Sequence, residues 1–412
     1  MKKVQIIMGS CERRSLEIEQ VKLFMAENDF SVIDETHVNF SHRTYFKVCK
    51  DADLILYSTC GFTSRAEDLA IENVKKILGR KRPSAQLIVC GCLPEINPAR
   101  LTSVFQGEMF GPRSYDRLDT IIRPKREFRE LSQTNTIRRA GSSAALRNRI
   151  SKAKALLDQG GWPSLLKKAR NEFGEILAKP AAKPTYYIQI QQGCPCRCSY
   201  CAIRFAIKEL TSKPLDEVVA EFQRGLDQGH DVFCLMGDSI GAYGLDLGSN
   251  LGALLDRLLR FQQRYSLNLV DISPVFFHLC ADSLHALCER GVLDSLYVPV
   301  QSANQRILKL MNRSCDINRV GEMLRDLKRS THVRIGTSII AGFPSETVPE
   351  LRDTIEFCKR VGFDWVYCHS FSARPETDAA RLPGQLTPED KKERCLLVRS
   401  ELHHRTLLNV DA

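Results

Sequence analysis

The segment Cys194-Pro-Cys-Arg-Cys198-Ser-Tyr-Cys201 constrains this chain more than any other, because it places four cysteines in eight residues directly after an apolar run at 187–191 and Gly193. Sixteen cysteines in a chain that shows no signal peptide speak for thiolate ligands in a reducing, cytoplasmic setting rather than for a disulfide scaffold. Cys194, Cys198 and Cys201 have the spacing C-x3-C-x2-C. Three thiolates hold three irons of a [4Fe-4S] cluster and leave the fourth iron open for a ligand that the protein does not supply. A structural zinc site would pair C-x2-C with a second pair and close all four positions. Cys196 falls out of frame, as a bystander or a competing ligand.

The first hundred residues alternate strand and helix. Strands are predicted at 4–8, 53–57 and 86–90, and helices at 16–28 and 67–78. The pattern is that of a small α/β domain with a parallel sheet, whose ligands gather in loops beyond the carboxyl ends of the strands. Cys11, Cys60 and Cys92 each follow one of these strands, so three distant thiolates are expected on one sheet edge. The isolated cysteines at 234, 280, 288, 315, 358, 368 and 395 read as small core residues.

From residue 186 a second α/β series begins, with strands predicted at 187–191, 232–236, 270–273, 295–300, 335–340 and 365–369. Six such units give an incomplete (βα)6 barrel. The expected domains are therefore 1–106, a basic linker with helical pieces at 107–184, the partial barrel at 185–386, and a C-terminal helix at 387–412 running from about 388 to 408. The turn after the second barrel strand holds Gly237-Asp238 and Tyr243, where small residues let backbone approach a ligand. The turn at Gly342-Phe-Pro-Ser345-Glu346-Thr347 starts a helix, with Ser345 or Glu346 expected near its cap.

With these residues in place, 185 to about 400 resembles the radical S-adenosylmethionine (SAM) domain of the methylthiotransferases. The carrying motifs are Gly193-Cys194 to Tyr200-Cys201, Pro299-Val-Gln301-Ser302, Leu310-Met-Asn-Arg313, Gly342 to Thr347 and Gly384-Gln385. Residues 2–100 are similar to the N-terminal domain of that family, whose three cysteines match Cys11, Cys60 and Cys92. The resemblance implies two [4Fe-4S] clusters, a radical SAM cluster on Cys194, Cys198 and Cys201 and an auxiliary cluster on Cys11, Cys60 and Cys92. It also implies SAM beside Tyr200, Gly237, Asp238, Tyr243, Gln301, Arg313 and Gly342. The implied activity is hydrogen abstraction by a 5'-deoxyadenosyl radical followed by sulfur delivery from the auxiliary cluster. Two departures stand out. Ile207, Thr211 and Lys213 occupy positions where the family usually has arginine, and arginine and lysine are not equivalent in bidentate contacts. The family's C-terminal RNA-binding TRAM barrel is also expected to be lacking here.

Without that barrel, a small metabolite or peptide is the expected substrate, with tRNA as the alternative and flavodoxin or ferredoxin as electron donor. No apolar run is long enough to suggest a membrane partner. A non-catalytic two-cluster electron carrier would explain the cysteines but not the barrel-like series. The net charge is +10, and residues 107–184 hold 17 Lys+Arg against 8 Asp+Glu, so one segment carries nearly all of it. If this segment reads an RNA backbone, tRNA affinity should fall steeply with salt. Neutralising roughly six phosphates costs on the order of 10³ in affinity between about 50 and 200 mM salt. Filter binding across that range measures it, and affinity indifferent to salt would leave the segment a spacer.

Overall fold

Parallel strands that are covered on both faces must be apolar almost throughout, and two sets of strands in this chain meet that demand. The computed structural model describes residues 1–34, 37–38, 44–137, 184–402 and 406–409. In the first set, β1 (Lys2–Met8), β2 (Phe30–Asp34), β3 (Leu54–Thr59), β4 (Gln86–Gly91) and β5 (Glu108–Phe110) form a sheet in the order β2-β1-β3-β4-β5. Every pairing in it is parallel. Alternation divides its side chains between two cores. Leu54, Leu56, Ile88 and Cys90 face α1 (Ser15–Glu27), whereas Ile55, Tyr57, Leu87 and Val89 face α2 (Ser64–Leu78). Thr63 caps α2, its hydroxyl accepting from the Ala66 amide at 3.1 Å.

The expected boundary at 106 falls short of the observed one. Phe110, Tyr115, Leu118 and Leu131 are buried in the α1-side core, so the N-terminal unit runs on to Leu131. Charge misled the reading here, because the basic excess summed over 107–184 comes almost wholly from its later part. The described part of the linker, 107–137, holds six Lys+Arg against five Asp+Glu; the other eleven against three lie at 138–183, outside the described residues.

The second sheet comprises β6 (Tyr186–Gln189), β7 (Val232–Met236), β8 (Ser266–Leu269), β9 (Leu293–Tyr297), β10 (Arg334–Ala341), β11 (Trp365–Ser370) and β12 (Thr406–Asn409). They lie in sequence order and all run parallel. Five of the seven overlap predicted strands, whereas β8 lies wholly upstream of the predicted 270–273. Asp271 has φ 66°, a left-handed conformation that cannot continue a strand, so that stretch forms the loop beyond the strand end instead. The seventh strand corrects the C-terminal expectation. The last helix, α3 (Pro388–Leu402), stops six residues early, and Thr406–Asn409 pairs with β11. The unpaired backbone groups along that edge of β11 favour such an addition. The helix Val348–Val361 is capped by Thr347 rather than by Ser345 or Glu346, in a reciprocal box with Glu350.

Inside the barrel Trp365 lies across Gly336, its register partner, and stacks on Tyr297 at 6.5 Å. A Cβ at 336 would sit 1.8 Å from the indole Cε2. Gly336→Ala is therefore expected to overpack the barrel by roughly 1–3 kcal/mol. A lowered melting temperature would register the strain, and an unchanged one would refute the contact.

Candidate functional site

Cys11, Cys60 and Cys92 stand just past the carboxyl ends of β1, β3 and β4, three neighbouring strands. Their loops are laced tightly together. The Gly9 amide donates to the Ser58 carbonyl at 2.7 Å, and the Cys92 amide to the Thr59 carbonyl at 3.1 Å. Gly91 has φ 98°, and a Cβ there would lie 2.4 Å from the Thr59 oxygen, so only glycine fits. Burial pushes the Cys60 thiol up to about 12, with the neighbouring Cys11 adding to the effect. Burial likewise holds Cys92 well above the usual range, although Arg14 opposes it. Buried in this way, Cys60 and Cys92 keep their protons until a metal takes the protons' place.

The second set arises from one loop. Gln191–Gln192 pairs antiparallel with Thr211–Ser212 and closes the base of this loop. Gly193 opens it at φ 81°, where a Cβ would meet the Glu209 carbonyl oxygen at 2.0 Å. The Ser199 amide donates to the Met311 carbonyl at 2.9 Å, and the Asn312 side chain to the Arg197 carbonyl at 2.8 Å. Cys196 is not idle: its single thiol proton lies between the sulfurs of Cys194 and Cys198 and acts on both. It lowers both neighbours, and Cys198, which also gains from the charge of Arg313, drops to about 5. Burial instead raises Cys201 to about 11. Arg313 donates to the Cys198 sulfur at 3.6 Å and to the Pro299 carbonyl at 2.6 Å, fixing its fork beside the loop.

Both cysteine sets line one cavity of about 320 Å³, within the range of ligand pockets. Tyr200, Asp238, Gln301 and Arg313 line it too; Gly237, Tyr243 and Gly342 do not. Tyr243 is fully buried and donates to the Lys213 carbonyl at 2.8 Å, while the Gly342 amide donates to Glu346 at 2.7 Å. Asp238 is committed within the protein. One oxygen accepts from the Gly193 amide at 2.8 Å and the other from Arg14. Burial works against the Asp238 charge, but Arg14 and the Gly193 amide outweigh it and hold its pKa below the ordinary value.

The donor set suits cubane clusters and a polar ligand. Among the described residues no three His, Cys, Asp or Glu side chains could hold a metal ion. A cube, by contrast, takes each thiolate on a different iron. Ser273 Oγ, Gln301 Oε1 and Arg313 Nε line the cavity, buried without hydrogen-bond partners, as a bound polar ligand would require. Sequence reasoning missed Arg13, Arg14, Asp271, Tyr297, Phe62 and His369, which also line it. The one available signal was the pair of arginines directly after Cys11. The isolated cysteines at 234, 280, 288, 358, 368 and 395 are buried, and Cys315 is half-buried.

Residues 188–358 match the radical SAM superfamily, and residues 11–110 match uncharacterized protein family UPF0004. The chain is 28% identical over 352 residues to the ribosomal protein uS12 methylthiotransferase RimO of Protochlamydia amoebophila (strain UWE25), covering 84% of this chain and 67% of that protein. It is 27% identical over 401 residues to the tRNA-2-methylthio-N(6)-dimethylallyladenosine synthase of Histophilus somni (strain 129Pt), covering 92% and 76%. Among solved structures, the radical S-adenosylmethionine methyltransferase TsrM from Kitasatospora setae, with tryptophan substrate and SAM analog bound, superposes with a TM-score of 0.58. At 12% identity over 92% of this chain and 75% of that one, it shows a shared fold. No helix among the described residues is long and apolar enough to cross a membrane. With a segment matching UPF0004 ahead of a radical SAM segment, and methylthiotransferases among its relatives, the chain is an enzyme of the radical SAM, sulfur-transferring type whose cofactors are two [4Fe-4S] clusters and SAM.

Proposed function

We propose that this enzyme forms a carbon–sulfur bond on a substrate carbon held between its two cysteine sets. The observation that carries this reading is the single cavity shared by Cys11, Cys60 and Cys92 from one domain and Cys194, Cys198 and Cys201 from the other. When bound, SAM and the cluster of the second set supply a 5'-deoxyadenosyl radical for hydrogen abstraction, and the cluster of the first set supplies the sulfur. The chain itself positions the reactants. Arg313 steadies Cys198, while Ser273 and Gln301 offer polar atoms to a ligand. Phe62, two residues after Cys60, meets His369 edge to face at 6.5 Å and walls one side of the cavity from both domains.

The relatives lend no support to the expectation of a small metabolite or peptide. Their names specify a tRNA adenosine and a ribosomal protein. The reading carried forward is a group borne by a macromolecule, with tRNA first because 138–183 holds eleven Lys+Arg against three Asp+Glu. An acidic flavodoxin or ferredoxin remains the proposed electron donor, and the cytoplasm the proposed location.

Anaerobically reconstituted protein should hold about eight irons, and the variant with Cys11, Cys60 and Cys92 replaced by Ala about half of that. The variant is expected to cleave SAM to 5'-deoxyadenosine and methionine while transferring no sulfur to tRNA, as read by mass spectrometry of the digested nucleosides. Undiminished sulfur product from the variant would place the sulfur source elsewhere and overturn the reading.

A further inference from the structure

Three residues after Cys11, Arg14 leaves its own domain's loop and enters the seam between the two domains. Its amide donates to the Cys11 carbonyl at 3.0 Å, so its backbone is part of the Cys11 turn. Its side chain is 2% exposed and forks. Nη1 meets Glu17 Oε1 at 2.6 Å, and Nη2 meets Asp238 at the end of β7 in the barrel. Each carboxylate then grips a residue just ahead of Cys194. Glu17 Oε1 accepts from the Gln192 side chain at 3.1 Å, and Asp238 Oδ2 accepts from the Gly193 amide at 2.8 Å. One guanidinium thus connects the Cys11 turn to the base of the Cys194 loop through two independent routes. Arg13, beside it, reaches Asp271 at 2.6 Å, a more exposed strap that touches neither Gln192 nor Gly193.

We propose that Arg14 is a positioning residue that sets the separation and orientation of the two cysteine sets. Its planar fork suits the task, because each arm addresses a different carboxylate from a fixed geometry, which a lysine ammonium cannot reproduce. A buried ion pair of this kind contributes more to defining one arrangement than to net stability, since desolvation offsets much of its attraction. The role rests on the reading that both sets carry clusters, and it adds what holds those sets in register.

Two variants test it. Arg14→Lys keeps the charge and loses the fork. The triple variant Arg14→Gln/Glu17→Gln/Asp238→Asn keeps the two carboxylate shapes, removes the fork and leaves no unpaired buried charge in the trio. Three quantities are read: amide exchange at 192–193 in the cluster-free chain, the magnetic interaction between the two reduced clusters by electron paramagnetic resonance, and the ratio of sulfur product to 5'-deoxyadenosine. Both variants are expected to bind iron as the parent does, exchange faster at 192–193 and show an altered interaction. The product ratio should fall at least about tenfold, since a misplacement of about 1 Å can cost on the order of 10² in rate. If the variants only melt earlier, with exchange, spectrum and ratio unchanged, Arg14 is a stabiliser alone and the proposal is overturned. If the parent protein makes no sulfur product, the sulfur-transfer reading fails, while exchange and spectrum still decide the role of Arg14.

Discussion

Two parallel sheets present their carboxyl ends to one cavity, and buried charge at the seam holds them there. A parallel sheet places its ligand-bearing loops at one end only, so two such sheets share a site only when those ends converge. Apolar contact contributes on one side, where Cys92 and Ile96 of the first domain pack with Ala202, Ala206 and Ile207 of the second. Polar contacts fix the angle elsewhere. Arg14 and Arg13 span the seam near Cys11, while Arg374 in the loop after β11 pairs with Glu67 of α2. Removing one partner from the buried Arg14–Asp238 or Arg374–Glu67 pair leaves an uncompensated charge, so these two pairs exclude docking geometries that would separate them.

The two cysteine sets reach their cluster-ready condition by opposite routes. In the second set the Cys196 thiol lowers its neighbours Cys194 and Cys198, and Arg313 donates to Cys198, so Cys198 above all is disposed to be a thiolate before metal arrives. In the first set burial keeps Cys60 and Cys92 protonated, which makes the metal itself the agent of deprotonation. A loop that carries its own hydrogen-bond donors can prepare thiolates locally. A site assembled from three strands has only its neighbours' charges to draw upon.

Ile207 illustrates how a departure in sequence acquires a physical meaning. In the sequence it stands out only as a departure from the arginine that the family usually carries. In the fold it is 1% exposed and belongs to the apolar cluster that joins the two domains beside Cys92. Lys213 likewise pairs with Glu221, which also accepts from Asn135, so it serves the packing of the barrel's first helix.

The sequence by itself determined what was local. Spacing set Cys194, Cys198 and Cys201 apart in one loop, apolar runs marked five of the seven barrel strands, and the early strands put Cys11, Cys60 and Cys92 at one sheet edge. Local signals sufficed because thiolate spacing within a loop and side-chain alternation along a strand are properties of neighbouring residues. Only the tertiary structure decided which cavity these elements share, that Asp238 is spent on Arg14 and Gly193, and that Tyr243 faces the core. It also decided that the first domain extends to Leu131 and that a seventh strand adds to β11. Each of these depends on which surfaces meet across tens or hundreds of residues. An arginine such as Arg14 looks like any surface charge until the fold brings a carboxylate from position 238 to it and removes the water between them.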